Sequence, residues 1–242
     1  MQEWFFPVAV VLLGYGVLGV TGFGSALVIV PLLAWIWPLP EVVPLILLMD
    51  MLASALHSGL NWRQVQWKEL WRLLPGMVLG TLAGLWLIGH VTSRWPLLVL
   101  GLYVAGVGLR ALRPPPGHTP LRSGWGHLYG TVLGLIEVMF GTAGPVVVAW
   151  LTRRLADARE IRASVPMIMT VAAMTVLAGM AADGRLSSQV LWQRWSVLMT
   201  VALVGVMLGH RLSHRLPVER LRQLICALLV VSGMMLTTRA LV

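Results

Sequence analysis

Gly19-Val-Thr-Gly-Phe-Gly-Ser25 interrupts an apolar run that extends from Phe5 to about Pro38. Three glycines and two hydroxyl residues in seven positions make a poor continuous helix, because each Gly costs roughly 1 kcal/mol against Ala in a helix interior. Irregular backbone deep in a membrane is tolerated only where it lines a cavity or is buried in protein. A second interruption, Gly141-Thr-Ala-Gly-Pro145, divides the apolar run from Leu128 to Leu151. Broken segments at matching places in two halves of a chain point to the binding site of a secondary transporter.

Only 11% of the 242 residues are charged and 58% are hydrophobic, against about 25% charged in an ordinary soluble domain. With a mean hydropathy of +0.83, the chain reads as a polytopic integral membrane protein. The net charge of +9 sits in short loops between apolar spans. Those loops face anionic lipid and set topology. No basic face with stacking aromatics is available for nucleic acid. One cysteine, Cys226, excludes a disulfide framework. The start, Met1-Gln-Glu-Trp-Phe-Phe, has no basic region, so no cleavable signal peptide is expected.

The plan then repeats. In residues 1–113 the broken segment precedes spans at Val42 to Gly59, Leu73 to Gly89 and Pro96 to Leu112. Residues 114–126, beginning Pro-Pro-Pro-Gly, form a stiff connector on the cytoplasmic side. In residues 127–242 a second broken segment precedes Pro166 to Ala182, Leu191 to Gly209 and Leu221 to Thr238. Gly80-xxx-Gly84 in the first half is echoed by Gly205-xxx-Gly209 in the second, a spacing that suits close helix packing within the chain or in a homodimer. Asn61 to Arg72 interleaves Trp62, Trp67 and Trp71 with Arg63, Lys68 and Arg72, the pattern of a headgroup-level segment.

Charge decides whether the broken segments cross. If the second turns back on its own side, the loops at 61–72, 110–124, 153–162 and 210–222 share one face and hold 14 of the 18 Lys and Arg. If it crosses, the split is 9 against 9. The positive-inside rule favours the first case. The first segment carries no basic residue to test, and duplication predicts the same behaviour. About 31 helical residues would span roughly 46 Å, too long for one ~30 Å crossing and suited to two half-helices. The expected fold is therefore all-α and membrane-embedded. It has two four-segment repeats, each a re-entrant hairpin plus three crossings. An odd number of crossings inverts the second repeat relative to the first, with the hairpin tips expected to meet near the midplane.

The order of glycine-rich break, turn, Trp- and Arg-bearing loop and Leu73-Leu-Pro-Gly-x-x-x-Gly80, repeated in the second half, resembles the TauE/SafE family of sulfite exporters. That group is also called the four-toluene sulfonate uptake permeases. The resemblance covers nearly the whole chain. The family's breaks usually read Gly-x-x-Gly-x-Gly-Gly-Gly. Here they read Gly19-Val-Thr-Gly22-Phe-Gly24-Ser25-Ala26 and Val138-Met-Phe-Gly141-Thr-Ala143-Gly144-Pro145, departing at several glycines. The resemblance implies a bacterial inner-membrane transporter of sulfite, sulfonates or related small anions, with no enzymatic turnover and no cofactor.

At a hairpin tip, the second half-helix begins with unpaired amides and a partial positive charge. These can hold an anion without a buried Lys or Arg. The expected substrate shell is Thr21, Gly22, Phe23, Gly24 and Ser25 from one tip, with Gly141, Thr142, Ala143 and Gly144 from the other. Small residues that merely allow close packing are the plainer explanation of the same pattern.

Glu137 precedes the second break by one turn, where the first approach has Leu18, and Asp50 lies mid-span. Intramembrane carboxylates are costly and mark function by default. Either acid could couple anion movement to protons; the plainer role for Glu137 is a hydrogen bond to exposed hairpin backbone, and for Asp50 a bond between helices. No His or Cys pair has metal-ligand spacing within an apolar span, and no nucleotide-binding glycine loop is present. A non-transporting assembly or biogenesis partner, with glycines serving packing alone, is the alternative.

Overall fold

The computed structural model describes residues 2–21, 24–59, 62–90, 94–111 and 124–213, with scattered positions between 227 and 238. Gly22, Phe23, the linker at 112–123 and most of the last predicted span lie outside the described residues. Among those described, every regular element is a helix. They are α1 (Gln2–Thr21), α2 (Ser25–Leu33), α3 (Leu39–Gly59), α4 (Trp67–Ile88), α5 (Arg94–Ala111), α6 (Trp125–Phe140), α7 (Gly144–Arg154), α8 (Ala158–Ala182) and α9 (Gln189–Ser213). A short 3-10 turn, Trp62–Gln64, precedes α4. Four helices (α3, α4, α8 and α9) are long and apolar enough to cross a membrane.

Both expected breaks are present, because glycine supplies a conformation that other residues avoid. Among the described residues positive φ occurs only at Gly24, Gly141 and Gly184, and two of these three are the breaks. Gly24 at φ +95 is the N-cap of α2, and Gly141 at φ +63 is the C-cap of α6. An L side chain costs roughly 1–2 kcal/mol there.

Helices α4 and α8 begin earlier than expected, at Trp67 and Ala158 instead of Leu73 and Pro166. The interfacial segments extend the helices instead of forming loops. Lys, Glu, Leu and Arg are good helix formers, and the Asp157 side chain caps α8 by accepting from the Arg159 N–H at 2.7 Å. Pro75 and Pro166 therefore sit inside helices. Trp62, Trp67 and Trp71 are exposed, as a membrane-interface belt requires.

The chain forms two compact units. One comprises residues 1–42, 91–115 and 193–242, and the other 43–90 and 116–192. Each draws elements from both sides of the 114–126 connector.

In the second unit α6 and α7 form a hairpin. The chain starts α6 at the same end where α7 finishes, with the Tyr129 and Trp150 rings 5.2 Å apart. Helix α4 lies along α6. A Cβ on Gly80 would collide with the Thr131 carbonyl oxygen, and one on Gly84 would lie 3.0 Å from Val138. From α6, a Cβ on Gly130 or Gly134 would strike the Leu73 or Met77 carbonyl. The helices run in the same direction at a separation only glycine permits. The Gly80-xxx-Gly84 face is thus occupied inside the chain and is not a free dimer surface.

The first unit repeats this arrangement. Gly14 of α1 lies against Ile29 of α2, so these helices also double back. Helix α9 lies along α1: a Cβ on Gly205 would sit 2.9 Å from the Leu12 carbonyl oxygen, and one on Gly209 would collide with Gly16. A Cβ on Gly101 of α5 would lie 2.8 Å from the Gly233 carbonyl oxygen.

Candidate functional site

The second break is the better defined of the two. Helix α6 ends at Phe140, and Gly141 turns left-handed so that its N–H reaches the Glu137 carbonyl at 2.8 Å. This returns the backbone toward the start of α7. The Glu137 side chain completes the turn: its Oε2 accepts from the Ala143 N–H at 2.9 Å, six residues on and across the break. Glu137 is 1% exposed, and Gly141, Thr142, Ala143 and Gly144 are all buried.

The donors at the start of α7 are few. Ala143 gives its N–H to Glu137, and Pro145 has none. Val146 and Val147 both point to the Ala143 carbonyl, at 2.9 and 3.3 Å. Gly144 is left to offer its N–H at this end. A carboxyl group of the protein itself thus occupies part of the amide cradle expected to hold an anion.

Helix α3 of the same unit backs the turn. A Cβ on Gly141 would make ordinary contact with Leu47 and Val43, at 3.7–3.8 Å. Asp50, one turn further along α3, is 8% exposed. The structure therefore gathers both predicted acids and the four predicted residues of the second tip in one unit.

The predicted residues of the first tip lie in the other unit. Thr21 ends α1, Gly24 caps α2 and Ser25 opens α2 as a buried residue. Gly22 and Phe23 lie outside the described residues, as does the Thr21 side chain. A Cβ on Gly24 would meet nothing within 4 Å, so the residue is required there by its φ and not by crowding. Leu18, in the place corresponding to Glu137, is buried.

Two features escape sequence reasoning. Thr81 of α4 is buried, and its hydroxyl has no hydrogen-bond partner among the described residues. Its backbone nitrogen would lie 2.8 Å from a Cβ on Gly134 of α6, and its methyl 4.0 Å from one on Gly179 of α8. Its only sequence signal is a hydroxyl residue inside the Gly80-xxx-Gly84 face. The second is Glu69, whose side chain is only 6% exposed. It accepts from Trp150 Nε1 at 3.0 Å, from Arg154 Nη2 at 3.2 Å and from Arg72 Nη1.

Among the described residues no group of three or more His, Cys, Asp and Glu is arranged to hold a metal ion. The model of the family described as "Sulfite exporter TauE/SafE" matches residues 7–236. The chain is 45% identical to the "Probable inner membrane transporter protein TsaS" of Comamonas testosteroni over 194 residues, covering 80% of this chain and 81% of that one. It is 26% identical to the "Probable sulfite/organosulfonate exporter TauE" of Cupriavidus necator over 200 residues, 79% and 77% of the two chains. No solved structure matches it.

Proposed function

The chain belongs to the sulfite exporter TauE/SafE family, and from that premise we propose that it moves a small sulfur-containing or organic anion, of the sulfite, sulfonate or sulfoacetate type, by secondary transport. It is a multi-pass inner-membrane transporter and not an enzyme. The anion is held by backbone amides and hydroxyls at the helix breaks: Thr21, Gly22, Phe23, Gly24 and Ser25 at the first, and Gly141, Thr142, Ala143 and Gly144 at the second. Glu137 and Asp50 carry the coupling proton.

The observation that carries this reading is the Glu137–Ala143 bond. Where a buried helix start already takes a carboxyl oxygen, the same donors suit the oxygens of a sulfite, sulfonate or carboxylate. We assign the buried Thr81 hydroxyl, which has no hydrogen-bond partner among the described residues, as a further donor. Such a site needs no buried cation, and so releases the anion more readily than a buried arginine would.

The inverted repeat belongs to the same proposal. Support for the duplication is a pair of offsets between the halves, one for the hairpins and one for the helices packed along them. Leu12 and Thr131, which take the close contact of Gly205 and Gly80 respectively, are 119 residues apart, as are Gly24 and Ala143, the caps of α2 and α7. Gly80 and Gly205 are 125 apart, as are Gly84 and Gly209. One packing scheme, a hairpin's first arm against a glycine-faced helix, has therefore been used twice.

The test is flux into proteoliposomes across sulfite, sulfonates, thiosulfate and small carboxylates, at two pH values. Saturable movement of one class, competed by its analogues, is the expected result. Movement of none of them, by protein shown to be folded, would overturn the reading.

A further inference from the structure

The two offsets also relate residues away from the breaks. Glu69 in α4 and Arg194 in α9 are 125 apart, and Glu41 at the start of α3 and Glu160 at the start of α8 are 119 apart. All four make polar contacts at the outer end of a hairpin.

In the second unit, Glu69 takes Trp150 and Arg154 at the end of α7, at 3.0 and 3.2 Å. Gln66, one turn earlier, gives its side-chain amide to Glu160 at 2.8 Å and its backbone N–H to the Ser164 hydroxyl at 2.9 Å. The end of the hairpin, the start of the next helix and the start of the packing helix are thereby tied together.

In the first unit, the Arg194 guanidinium lies 4.0 Å over the Trp37 ring, just beyond α2, and Nη1 donates to Glu41 at 2.7 Å. The same three elements are tied, with the charge on the packing helix reversed.

We propose that Glu69 and Arg194 are positioning residues of the transport cycle: each latches the outer end of its own hairpin, and the Arg194 latch releases first. The order follows from burial. The Glu69 side chain is 6% exposed and satisfied by three donors, whereas the Glu41 side chain is 51% exposed. Exposed pairs are screened and weak. Removing one partner of a buried pair leaves the others desolvated and unmatched. The inference rests on the transport reading for its purpose, but not for its test.

The test measures maleimide labelling of single cysteines in a Cys226→Ser background, without substrate. Ile29→Cys reports on α2, Val147→Cys on α7 and Ala173→Cys on the interior of α8; all three positions are buried. With both latches intact, Cys at 29 should label faster than Cys at 147. Glu69→Gln should raise labelling at 147 about tenfold or more and leave 29 and 173 within about twofold. Arg194→Gln should raise labelling at 29 alone, by about threefold. Unchanged labelling at 147 in folded Glu69→Gln protein overturns the proposal. So does an equal rise at 173, which would mean general loosening, and so does faster labelling at 147 than at 29 with both latches intact. If Glu69→Gln does not fold, Trp150→Phe removes a single donor and must raise labelling at 147 about threefold; no rise has the same force. A protein that labels as expected yet moves no anion refutes the transport reading alone.

Discussion

Replacing Glu137 by alanine and by glutamine separates two things the side chain does. Alanine removes the acceptor of the Ala143 N–H, which lies at a site 1% exposed to solvent. A buried donor left without a partner costs about 1–3 kcal/mol. The one lost methylene adds about 0.8 kcal/mol, so Glu137→Ala should cost about 2–4 kcal/mol. At roughly 2–4 °C per kcal/mol for a chain of this size, the melting temperature in detergent should fall by about 4–16 °C. Glutamine keeps an oxygen in the same place and should cost under about 1 kcal/mol, but it cannot exchange a proton. Glu137→Gln should therefore melt near the parent protein and transport at a rate that no longer depends on pH. Thermal melting and proteoliposome flux at several pH values read both effects. Alanine and glutamine proteins melting within about 2 °C of each other would show that the bond across the break carries no stability. PH-dependent flux surviving in Glu137→Gln would move the proton elsewhere, with Asp50 the next residue to replace.

Further outcomes follow from the geometry and the expected topology. Gly141→Ala should cost about 1–2 kcal/mol from its φ of +63 alone, with Gly141→Asn closer to the parent because Asn tolerates that region; equal melting of all three would remove the conformational argument. Gly80→Val should prevent normal folding, because its Cβ meets the Thr131 carbonyl, whereas a Cβ on Gly106 meets nothing within 4 Å. Gly106→Ala should gain up to about 1 kcal/mol, as melting will show. Thr81→Val removes a hydroxyl without a partner among the described residues, at little change in volume; substrate should bind less tightly while stability holds or rises, and unaltered affinity would take Thr81 out of the site. Cysteines at Glu3 and at Leu39 should label from the same face of the membrane, and labelling from opposite faces would end the re-entrant reading of the first hairpin.

The breaks were legible in the sequence because they depend on glycine, and glycine is chosen where the backbone must turn left-handed. Glu137 was legible as an acid in the wrong place, and the bond it makes was one of two roles open to it. Its choice of the Ala143 amide depends on how Gly141 folds the chain back, which composition does not encode. Glu69 was not legible at all. It stands among Trp67, Lys68, Trp71 and Arg72, where a carboxylate looks like one more interfacial charge, and its partners Trp150 and Arg154 are 81 and 85 residues away. Helix starts were misplaced for a related reason: hydropathy locates the apolar part of a helix, while α4 and α8 continue through polar residues that favour helix but not lipid.

The pairing of α1 with α9 has a consequence for how the chain is made. The second unit is assembled from residues 43–90 and 116–192, and all of it has been synthesised before the helix that packs on α1 is complete. The first hairpin, finished by Leu33, must wait for 176 further residues before α9 can seat Gly209 against Gly16. At roughly 5–20 residues per second, that is a delay on the order of ten seconds or more. During it, the glycine-lined face of α1 lacks the helix that closes on it. Whatever shelters them in that interval, the insertion machinery or the lipid itself, acts on the start of the protein on behalf of its end. A chain cut short before residue 193 would carry a completed second unit and an orphaned first hairpin.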